Sequence, residues 1–196
     1  MKVYFIRHGE SECNRLDLRC GWSQTPLSKL GREQAGRANA YLREIPFDKV
    51  YCSDLTRVRQ TAQEALPGCK PVYSDRIREI HVGSLSECPA EECREKYGKI
   101  YDEAMRLQDF TAFGGESQQQ MKERVRSFIR DLEKDEAQYV AVFGHEGTVH
   151  QMMEITLEQE ILLEKLRIDN ASVSVFEYLN GKWKLLQYNY EGEIVL

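Results

Sequence analysis

Apolar residues fall along this chain in two rhythms that alternate, short unbroken runs and longer stretches spaced three or four apart. Val3-Tyr4-Phe5-Ile6 and Tyr139-Val140-Ala141-Val142-Phe143 are runs without polar alternation, as expected of strands covered on both faces. Lys49-Val50-Tyr51-Cys52 reads as another strand, and Pro71-Val72-Tyr73 as a shorter one. Between them, Leu30, Ala35, Ala38, Leu42 and Ile45 recur at helical spacing from a Ser28 cap until Pro46 ends the run. Leu55 to Leu66 predicts a further helix, closed by Pro67-Gly68. Met121, Val125, Phe128 and Leu132 make the stripe of a long helix, and Val149, Met152 and Met153 begin another. Near the C-terminus, Ser172 to Tyr178 and Lys182 to Tyr188 flank Asn180-Gly181, a strong hairpin signal.

This alternation predicts an α/β layer fold in one domain, residues 1–196, without internal repeats or linkers. The stretch from Arg76 to Gly115 is the exception. It has no sheet period, carries charged helical pieces around Glu91 to Tyr97 and Ile100 to Leu107, and reads as a small cap-like insertion at about 80–115. The acidic run from Glu87 to Glu95 reads as a solvated helix face.

Composition narrows the field. With 41% hydrophobic and 30% charged residues in 196, the chain is long enough to bury a real core. A net charge of −5 argues against nucleic acid as a bulk partner. The apolar run Val3 to Ile6 is far short of a membrane span or a signal segment, so a cytoplasmic protein with no membrane partner is expected. Six cysteines without a Cys-x-x-Cys pair are expected to be reduced thiols.

The candidate chemistry sits where the predicted strands end. His8, in Arg7-His8-Gly9-Glu10, and His145, in Gly144-His145-Glu146-Gly147, both lie just past buried strands, where open α/β sheets place their ligands. A phosphomonoester needs cations for its oxygens, a nucleophile in line with the leaving oxygen and an acid for the departing alcohol. Neutral His8 would be the nucleophile if its other ring nitrogen donates to a fixed acceptor, which Gly9 would supply along with a close backbone approach for substrate binding. Arg7 and Arg57 offer guanidinium groups that bind phosphate oxygens in pairs, and the helix starting near Arg57 would add its N–H groups. His145 would donate to a phosphoryl oxygen, with Gly144 and Gly147 leaving room for substrate. Glu79 is the best candidate for the general acid, with Glu87, Glu91 and Glu92 as rivals, and it would have to hold a proton near neutral pH.

Taken together and in order, Arg7-His8-Gly9-Glu10, Pro26-Leu27-Ser28 with Gly31 and Gln34-Ala35, Ser53-x-x-x-Arg57 with Thr61-Ala62, Glu79 four before Gly83, Gly115-Glu116-Ser117 and His145 resemble the histidine phosphatase, or phosphoglycerate mutase-like, superfamily. The resemblance covers most of the chain. It implies a three-layer α/β/α sandwich with a mostly parallel central sheet. It also implies His8 as the phosphorylated nucleophile, Arg7, Arg57 and His145 as the phosphate clamp, and Glu79 as the proton donor. Asn14 matches a further phosphate-binding position, and no metal or cofactor is implied.

Departures bear on substrate. Glu146 stands where the family commonly has glycine, which puts a carboxylate beside the phosphate pocket with Gly147 and would bias against polyanionic substrates. Gln24-Thr25 replaces the acid often found before the Pro-Leu-Thr motif, and Ser84-Leu85-Ser86-Glu87 replaces a Trp-Glu-Gly. The short, acidic Arg76–Gly115 stretch fits a phosphatase of a small phosphomonoester better than a phosphoglycerate mutase, which stays as the runner-up. A catalytically idle module that binds a phosphorylated ligand is the rival from another class. His145 and His150 are five apart, which places them on different faces of a helix and argues against a zinc site; His150 and His81 read as structural or exposed. Trp22 reads as core or as a substrate-facing aromatic.

Overall fold

A computed structural model describes residues 1–161 and 166–191, and a six-stranded sheet in the order β3-β2-β4-β1-β5-β6 runs through it. β1 (Lys2–Arg7), β4 (Tyr139–Gly144), β2 (Lys49–Cys52) and β3 (Val72–Tyr73) are mutually parallel. β5 (Val173–Leu179) pairs antiparallel with β1 and with β6 (Lys182–Tyr190). The β5–β6 turn is Asn180-Gly181, both at positive φ (53° and 76°), the conformation that a two-residue hairpin loop requires.

The unbroken apolar runs have a direct physical cause. Along β1 and β4, Val3, Phe5, Val140 and Val142 enter one core cluster, and Tyr4, Ile6, Ala141 and Phe143 enter the other. Successive strand residues point to opposite faces, so a strand covered on both sides needs apolar residues at every position. The first cluster is closed by α6 (Gln118–Leu132) and α7 (Glu146–Leu157), through residues such as Val125, Phe128, Val149 and Met152. The second is closed by α2 (Lys29–Leu42) and α3 (Thr56–Ala65), through Ala38, Leu42, Val58 and Ala62. The three-layer α/β/α sandwich is therefore present.

Two helix expectations need adjusting. α2 starts at the Ser28 cap but ends at Leu42; Ile45 is buried beyond it by a turn in which its N–H bonds Leu42 carbonyl at 3.1 Å. Leu30, expected in the stripe, lies on the exposed side of the helix. The region without a sheet period holds α4 (Ala90–Tyr97) and α5 (Lys99–Leu107), between 3-10 turns at Asp75–Ile77, Gly83–Leu85 and Thr111–Phe113. A four-residue helix, α1 (Glu12–Arg15), escaped the periodic pattern because it is a single turn, held by a Ser11–Asn14 capping box. Among the described residues no helix is long and apolar enough to cross a membrane.

Candidate active site

Strand register brings the two histidines together. Arg7 lies opposite Gly144 across β1 and β4, so the next residues, His8 and His145, leave the sheet side by side with ring centroids 5.2 Å apart. His8 is buried, and its Nδ1 lies 2.7 Å from the Gly9 carbonyl. A carbonyl only accepts, so Nδ1 carries the proton and Nε2 keeps its lone pair. Arg57 Nε–H, 3.3 Å from Nε2, independently requires the same tautomer. Gly9 itself stands behind His8 rather than in the pocket wall: its N–H donates to Thr61 Oγ1 at 3.1 Å, and a Cβ there would lie 2.3 Å from the Gly31 carbonyl. Its carbonyl holds the His8 ring, and the residue lies outside the cavity lining.

Arg57 reaches this point from the first turn of α3 and is fully buried. Its Nη groups donate to the carbonyls of Ser23 (3.1 Å) and Gly21 (2.9 Å), and Nη2 faces His145 Nδ1 at 3.3 Å. Because a guanidinium only donates, His145 Nδ1 accepts, and its Nε2–H points to Ser53 Oγ at 3.0 Å. His145 thus sits behind Arg57, with both nitrogens engaged, and is not free to donate to a ligand in this arrangement. Burial first, and then the Arg57 charge, hold both imidazoles well below their ordinary range, so both rings are neutral. At the α3 N-terminus Gln24 Oε1 caps the Thr56 N–H at 3.1 Å, and the Val58 N–H turns back to the Leu55 carbonyl at 3.0 Å.

The flanking groups differ in what they hold. Arg7 donates through Nη1 to the Ile168 carbonyl and pairs through Nη2 with Glu146 Oε2 at 3.2 Å, while its buried Nε has no partner among the described residues. The Glu146 carboxyl is pushed up by burial, against the pull of Arg7 and helped by the like charge of Glu79. Asn14 Oδ1 accepts from the N–H and hydroxyl of Ser11, at 3.1 and 2.9 Å, and the residue lines the pocket. Glu79 enters from the loop after the Asp75–Ile77 turn; its Oε1 accepts from Ile80 N–H at 3.0 Å and its Oε2 from Gly147 N–H at 3.4 Å. Gly147 lines the cavity and is also small for Glu79: a Cβ would lie 2.6 Å from Glu79 Oε1 and 2.2 Å from Met121 Cε.

Arg7, His8, Asn14, Arg57, Glu79, Glu146 and Gly147 line one cavity of about 360 Å³ that also meets Arg19, Gln108, Gln118, His150 and Gln151, with His145 behind Arg57 and outside the lining. Arg19, Gln108, Gln118 and Gln151 went unnoticed in the sequence, and His150 was set aside with the zinc reading. A helical period was the available signal, because Glu146, Gly147, His150 and Gln151 recur at i, i+1, i+4 and i+5 along α7 and share a face. His150 is structural in one sense, buried with Nδ1 3.9 Å from Glu154 Oε1, yet it also faces the cavity. His81 stacks on Trp22 with centroids 4.4 Å apart, and Trp22 Nε1–H donates to the Glu79 carbonyl, so this tryptophan buttresses the acid rather than facing substrate. Of the rival acids, Glu87 is turned to the Thr25 hydroxyl at 2.6 Å, and Glu91 and Glu92 are exposed on α4. Among the described residues no group of three or more His, Cys, Asp or Glu is placed to hold a metal ion.

Known proteins resemble this chain in sequence and in fold. The family model of the histidine phosphatase superfamily (branch 1) matches residues 3–191. The probable phosphoglycerate mutase GpmB of Salmonella paratyphi A is 27% identical over 188 residues, spanning 93% of this chain and 87% of that protein. The alpha-ribazole phosphatase of Shigella flexneri superposes with a TM-score of 0.91 at 25% identity, covering 100% of both chains. A mycobacterial glucosyl-3-phosphoglycerate phosphatase, solved with VO3, superposes with a TM-score of 0.80 at 25% identity, covering 96% of this chain and 98% of that one.

Proposed function

This chain belongs to the histidine phosphatase superfamily and is an enzyme of the phosphatase type; from that premise we propose that it is a metal-independent phosphomonoesterase that carries the phosphoryl group on His8 Nε2. One observation supports this above the rest: two independent hydrogen bonds, Nδ1–H to the Gly9 carbonyl and Arg57 Nε–H to Nε2, leave Nε2 unprotonated where His8 lines the cavity. In the first step Nε2 donates its lone pair to phosphorus and the P–O bond to the alcohol breaks. The alcohol oxygen takes the proton of the Glu79 carboxyl as it leaves. Arg57 turns its donors from His8 and His145 to the phosphoryl oxygens, with Arg7 and the Asn14 amide beside it. A phosphate that enters as its monoanion gives its proton to His145 Nδ1, whose affinity for it the neighbouring dianion raises, and the ring then donates that hydrogen bond back to an equatorial oxygen. In the second step water attacks phosphorus, Glu79 carboxylate takes its proton, the N–P bond breaks, and inorganic phosphate leaves.

The substrate class in this reading is a small phosphorylated metabolite. A cavity of about 360 Å³ lined by Leu18, Ile80, Val82 and the amides of Gln108, Gln118 and Gln151 suits a compact alcohol. The segment from about 80 to 115 serves as the cap on this side. Glu146, already on Arg7, weakens the clamp for a second anionic group.

A mutase remains the second reading, favoured by the name of the Salmonella relative. Phosphate release from a panel of phosphorylated metabolites, run beside isomerisation of phosphoglycerate, separates the two. The phosphatase reading expects release in the presence of a chelator and none from His8→Ala. Full turnover by His8→Ala, or loss of activity to the chelator, would refute it. Ligand binding without turnover across the panel would favour the idle module.

A further inference from the structure

The Gly115-Glu116-Ser117 motif and Trp22 take no part in the steps above, yet both converge on the backbone that carries Glu79. Arg124, on α6, reaches into that loop with all five of its N–H groups engaged. Nη1 donates to the carbonyls of Arg76 and Arg78, at 3.1 and 2.6 Å, and Nη2 to the carbonyl of Glu79 at 2.8 Å. The remaining donors take both oxygens of the Glu116 carboxylate, Nε at 3.0 Å from Oε2. Glu116 is tied to the same loop, since its Oε1 accepts from His81 N–H and its own N–H donates to the His81 carbonyl, each at 2.9 Å. The pair is largely buried, with side chains 16% and 13% exposed. Between the Asp75–Ile77 and Gly83–Leu85 turns the loop is not itself a strand, so these side chains supply donors that a sheet ladder would otherwise provide.

Peptide planarity converts this clamp into control of a carboxyl group. The Glu79 carbonyl and the Ile80 N–H belong to one rigid unit, and that N–H holds Glu79 Oε1 at 3.0 Å. Trp22 Nε1–H donates to the same carbonyl at 2.6 Å, its ring held between His81 and the Arg78 guanidinium, 4.6 Å from the ring centroid. Any rotation of this peptide breaks both carbonyl bonds and swings the N–H that aims the carboxyl.

We infer that Arg124, fixed by Glu116, is a positioning residue that sets the Glu79 carboxyl for proton transfer to the leaving oxygen. The inference rests on the proposed role of Glu79 as the acid. A lysine at 124 keeps the charge but loses the planar fork that spans the carbonyls and the carboxylate together.

Leaving groups supply the test. p-Nitrophenyl phosphate departs as a stabilised phenolate with little need of a proton, whereas glycerol 3-phosphate requires one. The ratio kcat/KM covers only the steps up to enzyme phosphorylation, so later hydrolysis does not enter. Arg124→Lys is expected to lower kcat/KM by about 10- to 100-fold for glycerol 3-phosphate and by less than about 3-fold for p-nitrophenyl phosphate. Trp22→Phe keeps an aromatic ring against His81 and removes the N–H that grips the Glu79 carbonyl; it is expected to show the same selectivity at smaller size, and it carries the test if Arg124→Lys folds poorly. Glu79→Gln, measured alongside, should show the largest selective loss. Equal losses on both substrates in Arg124→Lys and Trp22→Phe, with Glu79→Gln still selective, would overturn the positioning role alone. A Glu79→Gln without selectivity would overturn Glu79 as the acid and the inference with it.

Discussion

The two ends of the cavity are built in different ways. At the phosphate end, His8, Arg57 and His145 extend from β1, α3 and β4, and their meeting follows from strand register and from the parallel order of the sheet. At the acid end, Glu79 sits on a loop without sheet support, and Trp22, Arg124 and Glu116 hold it from three other parts of the chain. The first end is fixed by backbone ladders and is buried; the second depends on a few side chains that grip carbonyls. Damage to the first should therefore impair every substrate alike, and damage to the second should discriminate among leaving groups.

The largest effect that would break this contrast is expected from Arg57→Lys. Loss of the fork that faces His8, His145 and two carbonyls should lower kcat/KM by about 10²- to 10³-fold for alkyl and aryl phosphates equally. Steady-state kinetics on the two substrates would check it, and a selective loss would contradict the division of labour.

Gly147→Ala should come next. The new methyl group would meet Glu79 Oε1 and Met121 Cε well inside contact distance, so the carboxyl must move. Activity on an alkyl phosphate is expected to fall by about 10- to 100-fold, and much less on a nitrophenyl ester. Overpacking against Met121 should lower stability by about 1–3 kcal/mol, read by denaturant titration.

pH dependence sharpens the description of the buried end. The folded protein keeps His8 and His145 neutral, with depressed pKa values, while the unfolded chain titrates near the ordinary value of about 6.5. Below that pH the unfolded state takes up protons that the folded state refuses, so stability is present at neutral pH and is lost as the solution is acidified. Thermal melts between pH 7 and 5 should show this loss, and His8→Gln should flatten it.

The smallest effect is expected at Glu146, whose raised carboxyl pKa has the opposite sign. The folded state holds this proton more tightly than the unfolded state, so its contribution to stability falls as pH rises through the interval between the two values. Glu146→Gln should raise the melting temperature slightly at neutral pH, with the difference vanishing in acid. Freeing Arg7 should also tighten inhibition by inorganic phosphate.

What the sequence made legible follows the same division. Val3–Ile6 and Tyr139–Phe143 announce buried strands because both of their faces need apolar residues, and the groups that follow inherit their positions from the sheet. Even the Gly9 acceptor for His8 was readable, since it requires only the adjacent peptide. Around Glu79 the signal fails for a physical reason. Trp22, Glu116 and Arg124 act through carbonyls distant in the chain, and a hydrogen bond to a backbone oxygen leaves no periodic mark in sequence. The rest of the cavity face of α7 was hidden differently: His150 and Gln151 do repeat helically with Glu146 and Gly147, but the same helix buries nearly its whole circumference.

The most direct test of the central claim is to trap the phosphoenzyme. Rapid mixing with a phosphomonoester labelled on phosphorus, an alkaline quench and peptide mapping should find an acid-labile phosphoryl group on His8, absent from His8→Ala and formed at least as fast as phosphate is released. Turnover without any labelled enzyme, or a label on another residue that persists in His8→Ala, would contradict phosphoryl transfer through His8.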